Sequence, residues 1–193
     1  DWQLRLENGE PVVLCVLNER RETATKRVCL PVADAPKSMY EILEAMALII
    51  EAERPGKKCS ILLVDPESRQ ITVGAGPSLP EEYNRAVEQL MIGPCVGSCG
   101  TAAFWNERVI VEDIQNDPLW TNLKAEAANA GVAACWSHPV VSESGQMLGA
   151  TALYCPEPCV PTQQELDGLT AAARMFGLAI ERSYAELASI PLK

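Results

Sequence analysis

The stretch VAACWSHPVVSESGQMLGATALYC (132–155) decides the fold. Two apolar runs, 132–141 and 146–155, are each long enough for a strand, and Ser142-Glu143-Ser144-Gly145 joins them as a polar turn. A connection this short cannot carry the chain to a parallel neighbour, so the pair is antiparallel. Alternation along the first run puts Ala134, Trp136 and His138 on one face and Cys135 and Ser137 on the other.

The elements upstream of this hairpin follow the same logic. RVIVEDI (108–114) predicts a strand, and an Ala-rich helix from about Leu123 ends at Gly131. CSILLVD (59–65) and QITVGA (70–75) flank a turn at Pro66-Glu67-Ser68 and predict a second hairpin. Before it, Ser38 and Glu41 are spaced as a capping box. Met39, Ile42, Leu43, Met46, Ile49 and Ile50 then form one apolar helical stripe, stopped by Pro55-Gly56. Tyr83, Val87 and Leu90 mark a short helix within 81–91.

Downstream, Thr162 and Glu165 form a second capping box. Leu166, Leu169, Ala173, Phe176, Ile180, Tyr184 and Leu187 continue as a near-heptad with a stutter near Ile180. Hairpins dominate this order. The expected class is α+β, a mainly antiparallel sheet with two long helices on one face and the excursion 93–131 as a lid over a pocket on the other.

The first 30 residues read differently. Asn8-Gly9 between WQLRLE and PVVLCVL predicts a hairpin over 1–17. NERRETATKRV (18–28) buries nothing obvious and reads as a linker or solvated connecting helix. Pro31 and Pro36 place a boundary between about 28 and 36, giving domains 1–30 and 31–193. The chain starts at Asp1 without a signal peptide and reads as a piece of a larger protein.

Composition narrows the function. Sixteen basic against 26 acidic residues give a net charge of −10, which argues against nucleic-acid and membrane-surface partners. No apolar run reaches the roughly 18 residues of a membrane span. Eight cysteines in a chain with ample core residues read as free thiols in a reducing cytoplasm. The pairs Cys95-x3-Cys99 and Cys155-x3-Cys159 leave a four-cysteine metal site as an alternative.

Residues 38–188 resemble a GAF domain, carried by IGPCVGSCGTAAFWNERVIVEDIQNDPLW (92–120) and GVAACWSHPVVSESGQMLGATALY (131–154). The subgroup is that of sensor histidine kinases and of cyclic-di-GMP synthases and phosphodiesterases. The resemblance implies a six-stranded antiparallel sheet between a helical layer and a ligand-facing lid. His138, and Cys155 and Cys159 around Pro156-Glu157-Pro158, depart from the family pattern. The N-terminal hairpin is similar to the end of a PAS domain; an extra hairpin on the GAF domain is the alternative.

The site expected from residues and resemblance together is Ser98, Thr101, Asp113, Trp120, Trp136 and His138. The glycine-rich run 93–101 can form a pocket wall or a tight turn. Trp105, Trp120 and Trp136 stand out among ten aromatic residues as candidates to line a planar ligand's site. Asp113 and Asp117 can bind or can cap turns. His138 is the lone histidine; haem ligation by it is the minor reading, and no cofactor is assigned. The expected function is non-catalytic sensing of a small molecule, relayed through a homodimer formed by the last helix. The enzyme alternative is a free methionine-R-sulfoxide reductase, a GAF-fold enzyme, using Cys99 and Cys135. Trp136 stands where that family has an aspartate. A ligand-free dimerisation module is the third reading.

Overall fold

The computed structural model describes residues 38–186 in full. It also gives the backbone of 187 and 188 and of three strands within the first 37 residues. The chain divides into two units, Asp1–Lys37 and Ser38–Lys193.

In the first unit β1 (Trp2–Glu7), β2 (Glu10–Glu19) and β3 (Glu22–Val28) form an antiparallel sheet in that order. Glu7 pairs with Glu10, as the hairpin reading requires; Asn8-Gly9 itself lies outside the described residues. The linker or helix expected over 18–28 is corrected. Residues 22–28 are a strand paired with β2 from Val13↔Val28 to Glu19↔Glu22. ETATKRV lacks an apolar alternation, but its two threonines favour extended backbone.

The second unit contains α1 (Met39–Ala52), β4 (Lys58–Val64), β5 (Ile71–Ala75), α2 (Glu81–Val87) and α3 (Gly97–Trp105). β6 (Val109–Val111), α4 (Lys124–Asn129), β7 (Ala134–Val141), β8 (Met147–Cys155) and α5 (Gln163–Ala188) follow. Its sheet runs β5-β4-β8-β7-β6, every pair antiparallel. This confirms the α+β class but gives five strands, not six. The segment after α2 approaches the β5 edge and makes only one bridge, Gln70↔Met91. Gln89 there takes a positive φ of 64° and Gly93-Pro94 follows, so the backbone turns away before a ladder can grow.

Both capping boxes form. The Ser38 amide donates to Glu41 Oε2 at 2.8 Å and the Glu41 amide to Ser38 Oγ at 3.3 Å; Thr162 and Glu165 repeat the exchange. Strand alternation then sorts two cores. On one face α1 and α5 cover Cys59, Ile61, Leu63, Leu153 and Trp136, with Leu43, Leu169, Phe176 and Ile180 from the helices. On the other, α2, α3 and α4 cover Leu62, Val64, Cys135, Ala152 and Tyr154. At the sheet centre β4 and β8 approach closely at Gly149, where a Cβ would stand 2.0 Å from the Leu62 carbonyl oxygen.

Candidate functional site

The lid side of the sheet carries small and polar residues beside Leu62 and Val64. Ser60 on β4, Tyr154 on β8, and Cys135 and Ser137 on β7 share this face because register pairs Cys135 with Tyr154 and Ala152 with both Ser60 and Ser137. Over them lies α3, which sequence reading left as a glycine-rich loop. Gly97, Ser98 and Gly100 are poor helix formers that hide it, and packing rather than propensity makes it. Residues 97–103 are all buried. Gly100 is needed for that fit, since a Cβ would sit 2.8 Å from the Val96 Cβ.

A hydrogen-bond network crosses the interface. Trp120 Nε1 donates to Ser98 Oγ at 3.0 Å, and Ser98 Oγ donates to the Cys135 carbonyl at 3.3 Å. The Ser137 hydroxyl lies 3.2 Å from Cys99 Sγ and 3.6 Å from Cys135 Sγ. The Ser60 and Tyr154 hydroxyls are 3.0 Å apart, and the Tyr83 ring meets Tyr154 edge-on at 5.9 Å. Among the described residues no buried side-chain nitrogen or oxygen lacks a partner. The cavity among Ser98, Cys99, Trp120, Leu62, Tyr83 and Tyr154 holds about 20 Å³, room for about one water.

Electrostatics separates the two thiols. A hydrogen bond from Cys135, helped by Ser137, holds Cys99 below the ordinary thiol range against burial. Burial pushes Cys135 well above it.

The expected site residues divide. Ser98 and Trp120 meet in this network. Thr101 is buried in the next turn of α3 and accepts the Val96 amide at 3.2 Å. Asp113 closes a turn, accepting from the Gln115 amide and Asn116 Nδ2 at 3.0 and 2.7 Å; Asp117 accepts the Leu119 amide. Trp136 and His138 do share a face, but it is the α1/α5 face, so the lid placement is corrected. Trp136 Nε1 donates to the Cys159 carbonyl at 3.3 Å, and Lys57 Nζ sits 4.6 Å from its ring centroid. His138 is half-buried, with Nδ1 2.8 Å from the Pro139 carbonyl oxygen. Trp105 is 59% exposed on the outside of the lid.

The four-cysteine metal alternative also fails on placement, because Cys99 and Cys155 lie on opposite faces of the sheet. Among the described residues no group of three or more His, Cys, Asp or Glu could hold a metal. Ser60, Tyr83, Ser137 and Tyr154, which take part in the contacts on the lid side, were not among the expected site residues. For Ser137 the signal was the other phase of the β7 alternation, which it shares with Cys135; Ser60, Tyr83 and Tyr154 lie on other elements and join it only through register and packing.

An antiparallel sheet with two long helices behind it and short helices folded over its other face defines a small layered α+β domain. The comparisons agree: the GAF domain family model matches residues 37–181, and the chain belongs to that family. It is 34% identical over 144 residues to the methyl sulfide methyltransferase-associated sensor of Methanosarcina acetivorans. The match covers 75% of this chain but 14% of that protein's length. A domain assigned to a two-component sensor histidine kinase of Sinorhizobium meliloti superposes with a TM-score of 0.65. It is 27% identical, with 79% of this chain and 97% of that one covered. The free methionine-R-sulfoxide reductase of Neisseria meningitidis shares the fold, with a TM-score of 0.62 and 17% identity over 77% of this chain and 81% of that one. Among the described residues no helix is long and apolar enough to cross a membrane.

Proposed function

We propose that this GAF sensor domain is non-catalytic, takes a small molecule under the α3 lid, and relays occupancy through α5 to an effector in a homodimer. The observation that carries this reading is the buried hydroxyl, thiol and indole network around a small cavity. A core needing only stability would be apolar there, because each polar group must be desolvated and then satisfied. In the closed state the groups satisfy one another. A ligand enters by displacing α3 and taking over partners such as Ser98 and Trp120. Differential affinity for the open and closed lid then supplies the signal.

Output through a dimer is supported by the surface behind the sheet, where Tyr40, Leu48, Leu178 and Tyr184 on α1 and α5 are about half exposed. The six cysteines described as free fit a reducing cytoplasm. The three-stranded N-terminal sheet supports reading residues 1–30 as the end of a PAS domain.

Native mass spectrometry of the purified chain with an absorption spectrum, followed by a thermal-shift screen of a metabolite library, tests the reading. The expected result is a dimer and at least one compound that raises Tm in the wild type and not in Trp120→Ala. A monomer that carries nothing and responds to no compound overturns it.

One observation favours a second reading. Cys99 and Cys135 both lie against the Ser137 hydroxyl, at 3.2 and 3.6 Å, as a neighbouring catalytic and resolving thiol would. Turnover of free methionine sulfoxide in a thioredoxin-coupled assay, abolished by Cys135→Ser, would establish the reductase instead.

A further inference from the structure

A second pair of sulfurs lies at the end of β8, on the face away from the lid. Cys155 is the last residue of that strand and is buried; Cys159, four residues on, is partly exposed. The turn between them is clamped. The Cys159 amide donates to the Glu112 carbonyl at 3.0 Å, and its own carbonyl accepts Trp136 Nε1 at 3.3 Å. Cys155 and Cys159 both belong to the cluster on the α1/α5 side of the sheet, and both lie near enough to the Lys57 ammonium to act on it. Lys57 reaches over the pair, with Nζ 3.6 Å from Cys155 Sγ, 2.9 Å from Glu165 Oε1 and 4.6 Å from the Trp136 ring centroid.

We propose that Cys155 and Cys159 form a redox-responsive dithiol, a modification site at which a peroxide closes an intramolecular disulfide beside the start of α5. The chemistry balances without any group from the lid. Cys159, the more accessible sulfur, attacks the peroxide; an S–O bond forms as O–O breaks, and the departing hydroxide takes the thiol proton as water. Cys155 then attacks the sulfenic sulfur. The S–S bond forms, S–O breaks, and the second hydroxide leaves as water with the Cys155 proton. The two sulfurs lose two electrons and one peroxide gains them.

The surroundings assign these roles. Burial, reinforced by the neighbouring thiol, pushes Cys155 up to about 12, so it waits protonated as the resolving group. Lys57 opposes that shift and stabilises the thiolate as it develops. The five-residue loop is already clamped, so closing it costs little chain entropy. Oxidation removes the Cys155 thiol from Lys57, whose other partner, Glu165, caps α5. The dithiol therefore acts on the same helix as the proposed ligand response, but at the opposite face of the sheet and independently of any ligand.

The test treats the 193-residue chain with hydrogen peroxide, alkylates remaining thiols and maps peptides by mass spectrometry. The expected product is a Cys155–Cys159 disulfide, reversed by thioredoxin. In Cys155→Ser, Cys159 should accumulate as a dimedone-trapped sulfenic acid, and in Cys159→Ser, Cys155 should stay alkylatable. Lys57→Met should slow disulfide closure several-fold without slowing dimedone capture in the Cys155→Ser background. Full alkylation of both cysteines while exposed Cys95 oxidises would overturn the proposal, as would a Cys159 that over-oxidises without pairing. Equal closure rates with and without Lys57 would remove the lysine from it.

Discussion

The two faces of one five-stranded sheet solve different problems with the same strands. The face under α1 and α5 is filled by Leu43, Ile61, Leu153, Leu169, Phe176 and Ile180, with the Lys57–Glu165 ion pair at its margin. The face under α3 holds four serine and tyrosine hydroxyls, two thiols and an indole N–H, bonded to one another. Apolar burial is non-directional and tolerates small shifts, so the first face stores stability. A buried polar network has one good arrangement and is costly when half made. On the proposed reading the second face switches between lid closed and lid displaced while the first stays fixed.

The largest expected effect lies on the storing face. Phe176→Ala should cost about 3–5 kcal/mol, read as a lowered urea midpoint, because its side chain is wholly buried between α5 and the sheet. A loss below about 1 kcal/mol would break the contrast between the faces.

Next, Ser98→Ala strands the buried Trp120 indole N–H and should cost about 1–3 kcal/mol. Adding Trp120→Phe should recover part of that loss, since it removes the orphaned donor. If the two costs simply add, the bond between these residues contributes nothing and the lid is apolar packing alone.

These comparisons also show what the sequence could carry. Both capping boxes, the hairpins β4–β5 and β7–β8 and the buried face of α5 from Leu169 to Ile180 were legible because each is a local pattern of spacing. The stripe breaks at Tyr184, which is exposed while Ser183 is buried, and the side chain of Leu187 lies outside the described residues. α3 was not, because Gly97, Ser98 and Gly100 are weak helix formers held by tertiary contacts that no window of residues displays. For the site, periodicity revealed which residues of β7 share a face. Which face meets the lid depends on strand order and register, and that inverted the assignment of Trp136 and His138. β3 escaped for a related reason: its strand character lies in pairing with β2 rather than in an apolar alternation.

Lys57→Met sharpens the contrast at the margin. Its ion pair with Glu165 is about one-fifth exposed on each side, so the expected loss, with the Trp136 contact included, is about 1 kcal/mol. Burial lowers the Lys57 pKa, but Glu165 and the nearby thiols outweigh it and the net shift is upward. The pair's contribution should therefore persist through neutral pH, and wild type and variant should keep a constant gap in Tm between pH 6 and 8.

His138 gives the smallest effect and the one most diagnostic of its face. Burial lowers its pKa below 6.5, the Pro139 carbonyl opposes that, and Arg108 and Arg174 lower it further. The unfolded chain, with an ordinary histidine, binds the proton more readily. Stability at this group is therefore full above pH 6.5 and falls as pH drops from there toward the folded value. His138→Gln should flatten that decline in a series of urea midpoints from pH 7.5 to 5.5. It should leave thermal-shift responses to any lid compound unchanged, because the imidazole is on the α5 side of the sheet. If the substitution abolished compound binding while the pH series stayed the same, His138 would belong functionally to the lid, and the division of labour between the faces would fail.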